Sequence, residues 1–135
     1  MRSCALAAAL VIVSACSASV PANHGVYMLL DTSGTYREEL EKAQQIIRYT
    51  LSRLDAADSF AVARIDTASF SEKDIVAKAT LDDRPSTMNR QKRLFAEQIG
   101  VFVEETRSSP YTDITGGLLQ AVEFLNEKSP GARPC

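Results

Sequence analysis

The sequence predicts an α/β fold, in which helices cover a central sheet. Residues 26–30 form a continuous apolar run, which is typical of a strand buried on both faces. Longer segments carry apolar residues at three- and four-residue steps, which indicates amphipathic helices. Because strand-like and helix-like segments alternate, a layered α/β domain is favoured over an all-α or all-β one.

The first predicted helix covers residues 35–54 and directly follows the first strand. Its apolar side chains recur on one face, which should pack against the sheet. They are Leu40, Ala43, Ile47, Leu51 and Leu54.

The second strand is predicted over residues 58–66, and the third over residues 74–81. In the second, Phe60 and Val62 alternate with small or apolar neighbours, as expected for a half-buried or buried strand. The link between these two strands is short and polar, which allows a hairpin. The third strand is therefore expected to run antiparallel to the second.

Two helices complete the predicted order β-α-β-β-α-α. The second helix covers residues 82–106, and a proline-containing segment ends it. Its predicted buried stripe is Leu94, Phe95, Ile99, Phe102 and Val103. The third helix covers residues 115–128, and its predicted inward side chains are Leu118, Leu119, Val122 and Leu125.

The N-terminal residues 1–15 predict a secretory signal peptide. Arg2 precedes an apolar run and then small residues, in a stretch too short to span a membrane comfortably. The residues before Cys16 resemble a bacterial lipobox, which implies that Cys16 is lipidated and begins the mature chain. A plain signal peptide with a chance cysteine is the alternative. Residues 16–24 predict a solvated tether that contains His24, and residues 25–135 predict the folded domain.

A lipidated Cys16 implies anchoring to a membrane of the bacterial cell envelope, facing the periplasm. Ser17 follows the cysteine and favours the outer membrane. Loss of Arg2 with the signal changes the net charge from −2 to −3, so no basic footprint for nucleic acid is expected. Cys135 would be the remaining free cysteine, which excludes a disulfide framework. We find no nucleophile–base pair, phosphate-binding glycine loop or Cys/His cluster, so an enzyme is not expected.

Asp31 follows the first strand, and three interpretations of the segment around it compete. Thr35 and Glu38 fit a capping box for the first helix, but a cap leaves Asp31 and Ser33 unexplained. The segment is also similar to the Asp-Thr-Gly motif of aspartic peptidases. However, Ser33 is inserted, and those enzymes are all-β. The third interpretation is a hard-cation site, because a carboxylate with alternating hydroxyl groups suits Mg²⁺ or Mn²⁺.

Two separated motifs resemble those of the von Willebrand factor A (VWA) family. The five residues from Asp31 to Thr35 are similar to its Asp-x-Ser-x-Ser motif, with threonine at the last position. The segment "YTDITGGLLQA", residues 111–121, is similar to its second motif. The resemblance covers residues 25 to about 128 and implies a Rossmann-like three-layer sandwich.

The resemblance also implies a metal-ion-dependent adhesion site and a set of ligands. Asp31, Ser33, Thr35 and Thr112 would bind Mg²⁺ or Mn²⁺, and Asp113 would buttress the loop or cap the third helix. Gly116 and Gly117 would permit close helix packing. The implied partner is a protein that presents an acidic side chain to the metal.

The family's third motif, an aspartate after a fourth strand, does not occur in this sequence. We therefore expect a partial VWA domain that lacks the C-terminal strands and binds metal weakly. The first strand, which is central in the family, should have one side uncovered, and such an edge pairs readily with another chain. A non-functional or truncated fragment of a longer VWA lipoprotein is the alternative to a binding module.

Overall fold

The described part of the chain contains three strands and three helices, in the predicted order. The computed structural model describes residues 23–34, 37–65, 75–106 and 114–129. The elements are β1 (Gly25–Asp31), α1 (Arg37–Arg53), β2 (Ser59–Ile65), β3 (Ile75–Thr80), α2 (Pro85–Glu105) and α3 (Ile114–Lys128). Each end lies within a few residues of the prediction.

The three strands form one mixed sheet in the order β1-β2-β3. β1 pairs with β2 in parallel, from Gly25 opposite Ser59 to Asp31 opposite Ile65. β2 pairs with β3 in antiparallel fashion, which confirms the predicted direction of the third strand. Among the described strands, β1 therefore lies at one edge, and β2 is central.

One face of the sheet packs against α1 and α2. The side chains of Phe60 and Val62 in β2 point to this face, and Phe60 stacks on Phe95 of α2 with ring centroids 4.9 Å apart. The predicted apolar face of α1 is confirmed, since Leu40, Ile47 and Leu51 are buried and Ala43 packs on the same core. The buried residues of this core are Leu30, Leu40, Ile47, Leu51, Leu54, Phe60, Val62, Ala77, Leu81, Phe95, Ile99 and Val103.

The other face of the sheet is covered by α3. Gly116, Gly117 and Phe124 are the buried residues of this helix. The ring of Phe124 lies 5.3 Å from that of Tyr27, centroid to centroid. A Cβ atom placed on Gly117 would lie 3.1 Å from Leu29 Cδ2 and 3.6 Å from Ile65 Cγ1. The helix therefore approaches β1 and β2 closely, and the chain forms a helix–sheet–helix sandwich.

Two parts of the predicted core are wrong. Leu94 in α2 is 50% exposed, because Phe95, Ile99 and Val103 at four-residue steps already fill the contact with the sheet. The four residues predicted to point inward from α3 are also exposed, from 36% for Leu125 to 56% for Val122. The glycines bring α3 so close to the sheet that its large apolar side chains lie on its flank.

Asp58 links the beginnings of β1 and β2. Its carboxylate accepts hydrogen bonds from the backbone amides of His24, at 2.7 Å, and Asp55, at 2.8 Å. The His24 carbonyl in turn accepts a hydrogen bond from the Ser59 amide at 2.8 Å. The main chain of His24, expected in a solvated tether, is therefore part of the fold, although its side chain remains mostly exposed.

Candidate functional site

The parallel pairing of β1 and β2 brings their carboxyl ends to one edge of the sheet. Asp31 is the last residue of β1 and lies opposite Ile65, the last residue of β2. Ligands of open α/β sheets bind outside the carboxyl ends of the strands. Asp31 is exposed at this edge.

The chain turns sharply after Asp31 and keeps Ser33 beside its carboxylate. The Asp31 side chain accepts a hydrogen bond from the Ser33 amide at 2.8 Å. Aspartate favours such turns because its short side chain can accept from the backbone two residues later. Gly34 then adopts a left-handed conformation with φ of 60°, which glycine allows at no steric cost. The half-buried Ser33 is thereby held close to Asp31.

Thr32, between the two candidate ligands, has a structural role that the sequence analysis did not assign. Its side chain is only 2% exposed, and its hydroxyl donates to the Ile65 carbonyl at 3.3 Å. This bond ties the carboxyl ends of β1 and β2 together. The sequence carries no direct signal of this contact, because it joins two strands that are far apart along the chain.

The amino end of α3 lies at the same edge of the sheet. Gly117 in its first turn packs against Leu29 and Ile65, whereas Leu125 lies beside Gly25 at the opposite end of β1. Ile114, the first residue of α3, therefore lies toward the edge that carries Asp31. Of the predicted site residues, Thr35, Thr112, Asp113 and Cys16 lie outside the described residues.

The described donors at this edge have the chemistry of a hard-cation site. A carboxylate and a hydroxyl are oxygen ligands of the kind that Mg²⁺ and Mn²⁺ prefer. Within the ranges that the structure describes, no group of three or more His, Cys, Asp or Glu residues could hold a metal. Glu38 and Glu39 in the first turn of α1 offset the positive end of that helix.

A separate groove of about 640 Å³ lies between α2 and the sheet. It is lined by both charged and apolar side chains, and neither Asp31 nor Ser33 contributes to it. The lining residues are Arg64, Val76, Leu94, Glu97, Gln98, Val101, Phe102 and Glu105. This groove was not predicted from the sequence, because Leu94 was assigned to the buried stripe of α2 and is instead 50% exposed.

Comparison of the sequence with models of known protein families found no match. No curated protein matches the sequence either. In the described segments, no helix is both long and apolar enough to cross a membrane.

Proposed function

We propose that this chain is a membrane-anchored, protein-binding module of the VWA type. In this proposal Asp31, Ser33, Thr35 and Thr112 hold Mg²⁺ or Mn²⁺, and Asp113 supports the loop that carries Thr112. A partner protein contributes an acidic side chain to the cation. The observation that carries the proposal is the turn at the carboxyl end of β1, where Ser33 folds back onto the exposed Asp31 carboxylate.

The glycine pair of the second motif supports the same proposal. Gly116 and Gly117 are buried, and a Cβ atom placed on Gly117 would lie in tight contact with the Leu29 side chain. This close approach places the start of α3 toward the edge that holds Asp31. In the proposal, Thr112 and Asp113, which precede α3 in the sequence, reach the cation there. The layered arrangement of helices on both faces of a sheet is also compatible with a partial VWA domain.

The proposed cation supplies a positive charge that attracts an acidic side chain of the partner. Residues of this chain would hold the cation in place. Asp31 would provide one negative charge, and the hydroxyl groups would add neutral oxygen ligands. With Asp31 as the one carboxylate among the four ligands, we expect weak affinity. The module is proposed to bind rather than catalyse, since the site needs no nucleophile for this role.

Calorimetric titration of Mg²⁺ or Mn²⁺ into the full chain, purified in a mild detergent, tests the site. We expect saturable binding in the wild type and its loss in Asp31→Ala. Asp83→Ala is the matched control, because Asp83 is an exposed aspartate before α2, far along the chain from the site. Equal binding by wild type and Asp31→Ala would contradict the proposed ligand set.

The membrane anchor is the second part of the proposal. Cys16 would carry the lipid, and residues after it would place the domain outside the membrane surface on the periplasmic side, preferentially at the outer membrane. An anchored module needs no membrane-crossing helix, because acyl chains provide the hydrophobic attachment. The tether would end near His24, where the main chain joins the fold through Asp58 and Ser59.

A further inference from the structure

Thr32 differs in burial from the residues on either side of it. Within the described ranges, three polar side chains are buried: Thr32, Asp58 and Ser59. Asp58 and Ser59 join the beginnings of β1 and β2. Thr32 lies at the other end of β1, between the exposed Asp31 and the half-buried Ser33. A buried hydroxyl therefore separates the two described residues of the proposed cation site.

The pairing of β1 with β2 does not depend on this hydroxyl. Both strands are seven residues long, and they are in register from Gly25 opposite Ser59 to Asp31 opposite Ile65. The Thr32 hydroxyl adds one bond beyond the end of this ladder, to the Ile65 carbonyl at 3.3 Å. This bond therefore acts mainly on the chain directly after the strand, where the turn begins.

Two hydrogen bonds of different kinds hold this turn. The Ser33 amide donates to the Asp31 carboxylate at 2.8 Å, a bond between near neighbours in the sequence. Such a bond closes the turn but does not fix its orientation relative to the sheet. The Thr32 bond does, because Ile65 belongs to β2 and lies 33 residues further along the chain. Thr32 therefore attaches the turn to the sheet.

We propose that Thr32 is a positioning residue for the cation site, an inference that rests on the proposed function. Its buried hydroxyl fixes the turn, and the turn holds Ser33 beside the Asp31 carboxylate. Ligands that are held in place before binding need less ordering on binding, so affinity rises. With Asp31 as the one carboxylate among the proposed ligands, the charge attraction is small, and ordering of the turn takes a large share of it.

Two substitutions at position 32 separate positioning from packing. Thr32→Val keeps the branched shape and loses the hydroxyl, whereas Thr32→Ser keeps the hydroxyl and loses a buried methyl group. We expect Thr32→Val to bind Mn²⁺ about twofold to tenfold more weakly, the factor that corresponds to one neutral hydrogen bond. Thr32→Ser should bind like the wild type. If Thr32 acted through packing alone, the loss of the methyl group would weaken binding at least as much as the loss of the hydroxyl.

Thr80→Val is the matched control for the loss of a hydroxyl. The Thr80 hydroxyl also joins two strands, through a 2.9 Å bond to the Ser59 hydroxyl. This bond lies at the amino end of β2, at the opposite end of the sheet from Asp31. We expect Thr80→Val to bind Mn²⁺ like the wild type. Titration calorimetry on the full chain in mild detergent measures all four proteins.

Hydrogen exchange of the Ser33 amide, followed by NMR without metal, measures the positioning itself. Exchange should be about twofold to tenfold faster in Thr32→Val and unchanged in Thr32→Ser and Thr80→Val. Unchanged exchange in Thr32→Val, or Mn²⁺ affinity that is equal in Thr32→Val and wild type, would overturn the inference. Binding by Thr32→Ser as weak as that of Thr32→Val would overturn it as well. A wild type that binds no Mn²⁺ would contradict the proposed function, and the exchange of the Ser33 amide alone then decides whether Thr32 holds the turn.

Discussion

At the scale of single residues, Asp58 illustrates how a buried carboxylate organises the start of the sheet. Burial raises the pKa of Asp58, but the hydrogen bonds from the Asp55 and His24 amides outweigh burial, and the net effect lowers the pKa. The ionised form is therefore favoured in the folded state. A buried carboxylate that accepts two amide hydrogen bonds holds the first residues of β1 and β2 together.

Asp58→Ala should lower the free energy of unfolding by about 1–3 kcal/mol, because two backbone donors lose their acceptor. The folded-state pKa is lowered, so this contribution is fully present above about pH 4, the usual range of aspartate. It should disappear as the pH falls through the lowered pKa. Urea unfolding of wild type and variant between neutral and acidic pH measures the difference.

Asp83→Ala is the control for this comparison, because Asp83 is exposed. We expect it to change the free energy of unfolding by no more than about 0.5 kcal/mol at any pH. If Asp58→Ala were as stable as Asp83→Ala at neutral pH, Asp58 would not hold the beginnings of β1 and β2 together as described.

The candidate site also shows what single residues in the sequence could indicate. The exposed position of Asp31 was predictable, because an apolar run followed by a carboxylate marks the end of a buried strand. The role of Thr32 was not predicted, since a hydroxyl in a motif rich in hydroxyls gives no sign of its partner. Its bond to Ile65 depends on the parallel pairing of two strands that are far apart in sequence.

At the scale of the elements, α2 shows how a helix divides neighbouring apolar residues between core and surface. Phe95 is buried against Phe60 in a stacked arrangement, whereas the adjacent Leu94 is 50% exposed. Consecutive residues in a helix point about 100° apart, so both cannot face the sheet. The ring of Phe95 fits between α2 and β2, and this contact determines which face of the helix is buried.

This pair of neighbours gives a direct prediction about stability. Phe95→Ala should lower the free energy of unfolding by about 3–5 kcal/mol, because it removes a large ring from the core and leaves a cavity. Leu94→Ala should change it by no more than about 0.5 kcal/mol. Chemical unfolding followed by circular dichroism measures both variants. Equal losses would mean that α2 is rotated relative to the structure described.

Sequence patterns predicted the elements well and the orientation of α3 poorly. The helices and strands follow from periodicity, and the face of α1 was correct because its stripe contains large apolar residues at regular steps. In α3 the same periodicity rule selected large apolar residues that lie away from the sheet, rather than the residues that face it. The face that meets the sheet contains Gly117 and Phe124, and a close approach through glycine buries little apolar side chain of the helix itself. Hydrophobic periodicity cannot detect such a contact.

At the scale of the whole molecule, the folded domain and the proposed anchor depend on different residues. The main chain joins the fold at His24, so the residues between Cys16 and this point would act as the tether. We expect radiolabelled palmitate to appear in the wild-type protein and to be absent from Cys16→Ser, because the proposed acylation needs the thiol. Cys135→Ser is the matched control and should be labelled like the wild type. Equal labelling of wild type and Cys16→Ser would exclude the proposed anchor.

The proposed module depends on a hard cation bound at the carboxyl end of β1. Paramagnetic broadening of amide signals by Mn²⁺, measured by NMR on the full chain in detergent micelles, locates the ion directly. We predict that substoichiometric Mn²⁺ first broadens the signals of Asp31, Ser33 and Gly34, and that Asp31→Ala removes this selectivity. First broadening at another acidic segment, such as Asp82 and Asp83, or an unchanged pattern in Asp31→Ala, would show that the cation does not bind at Asp31.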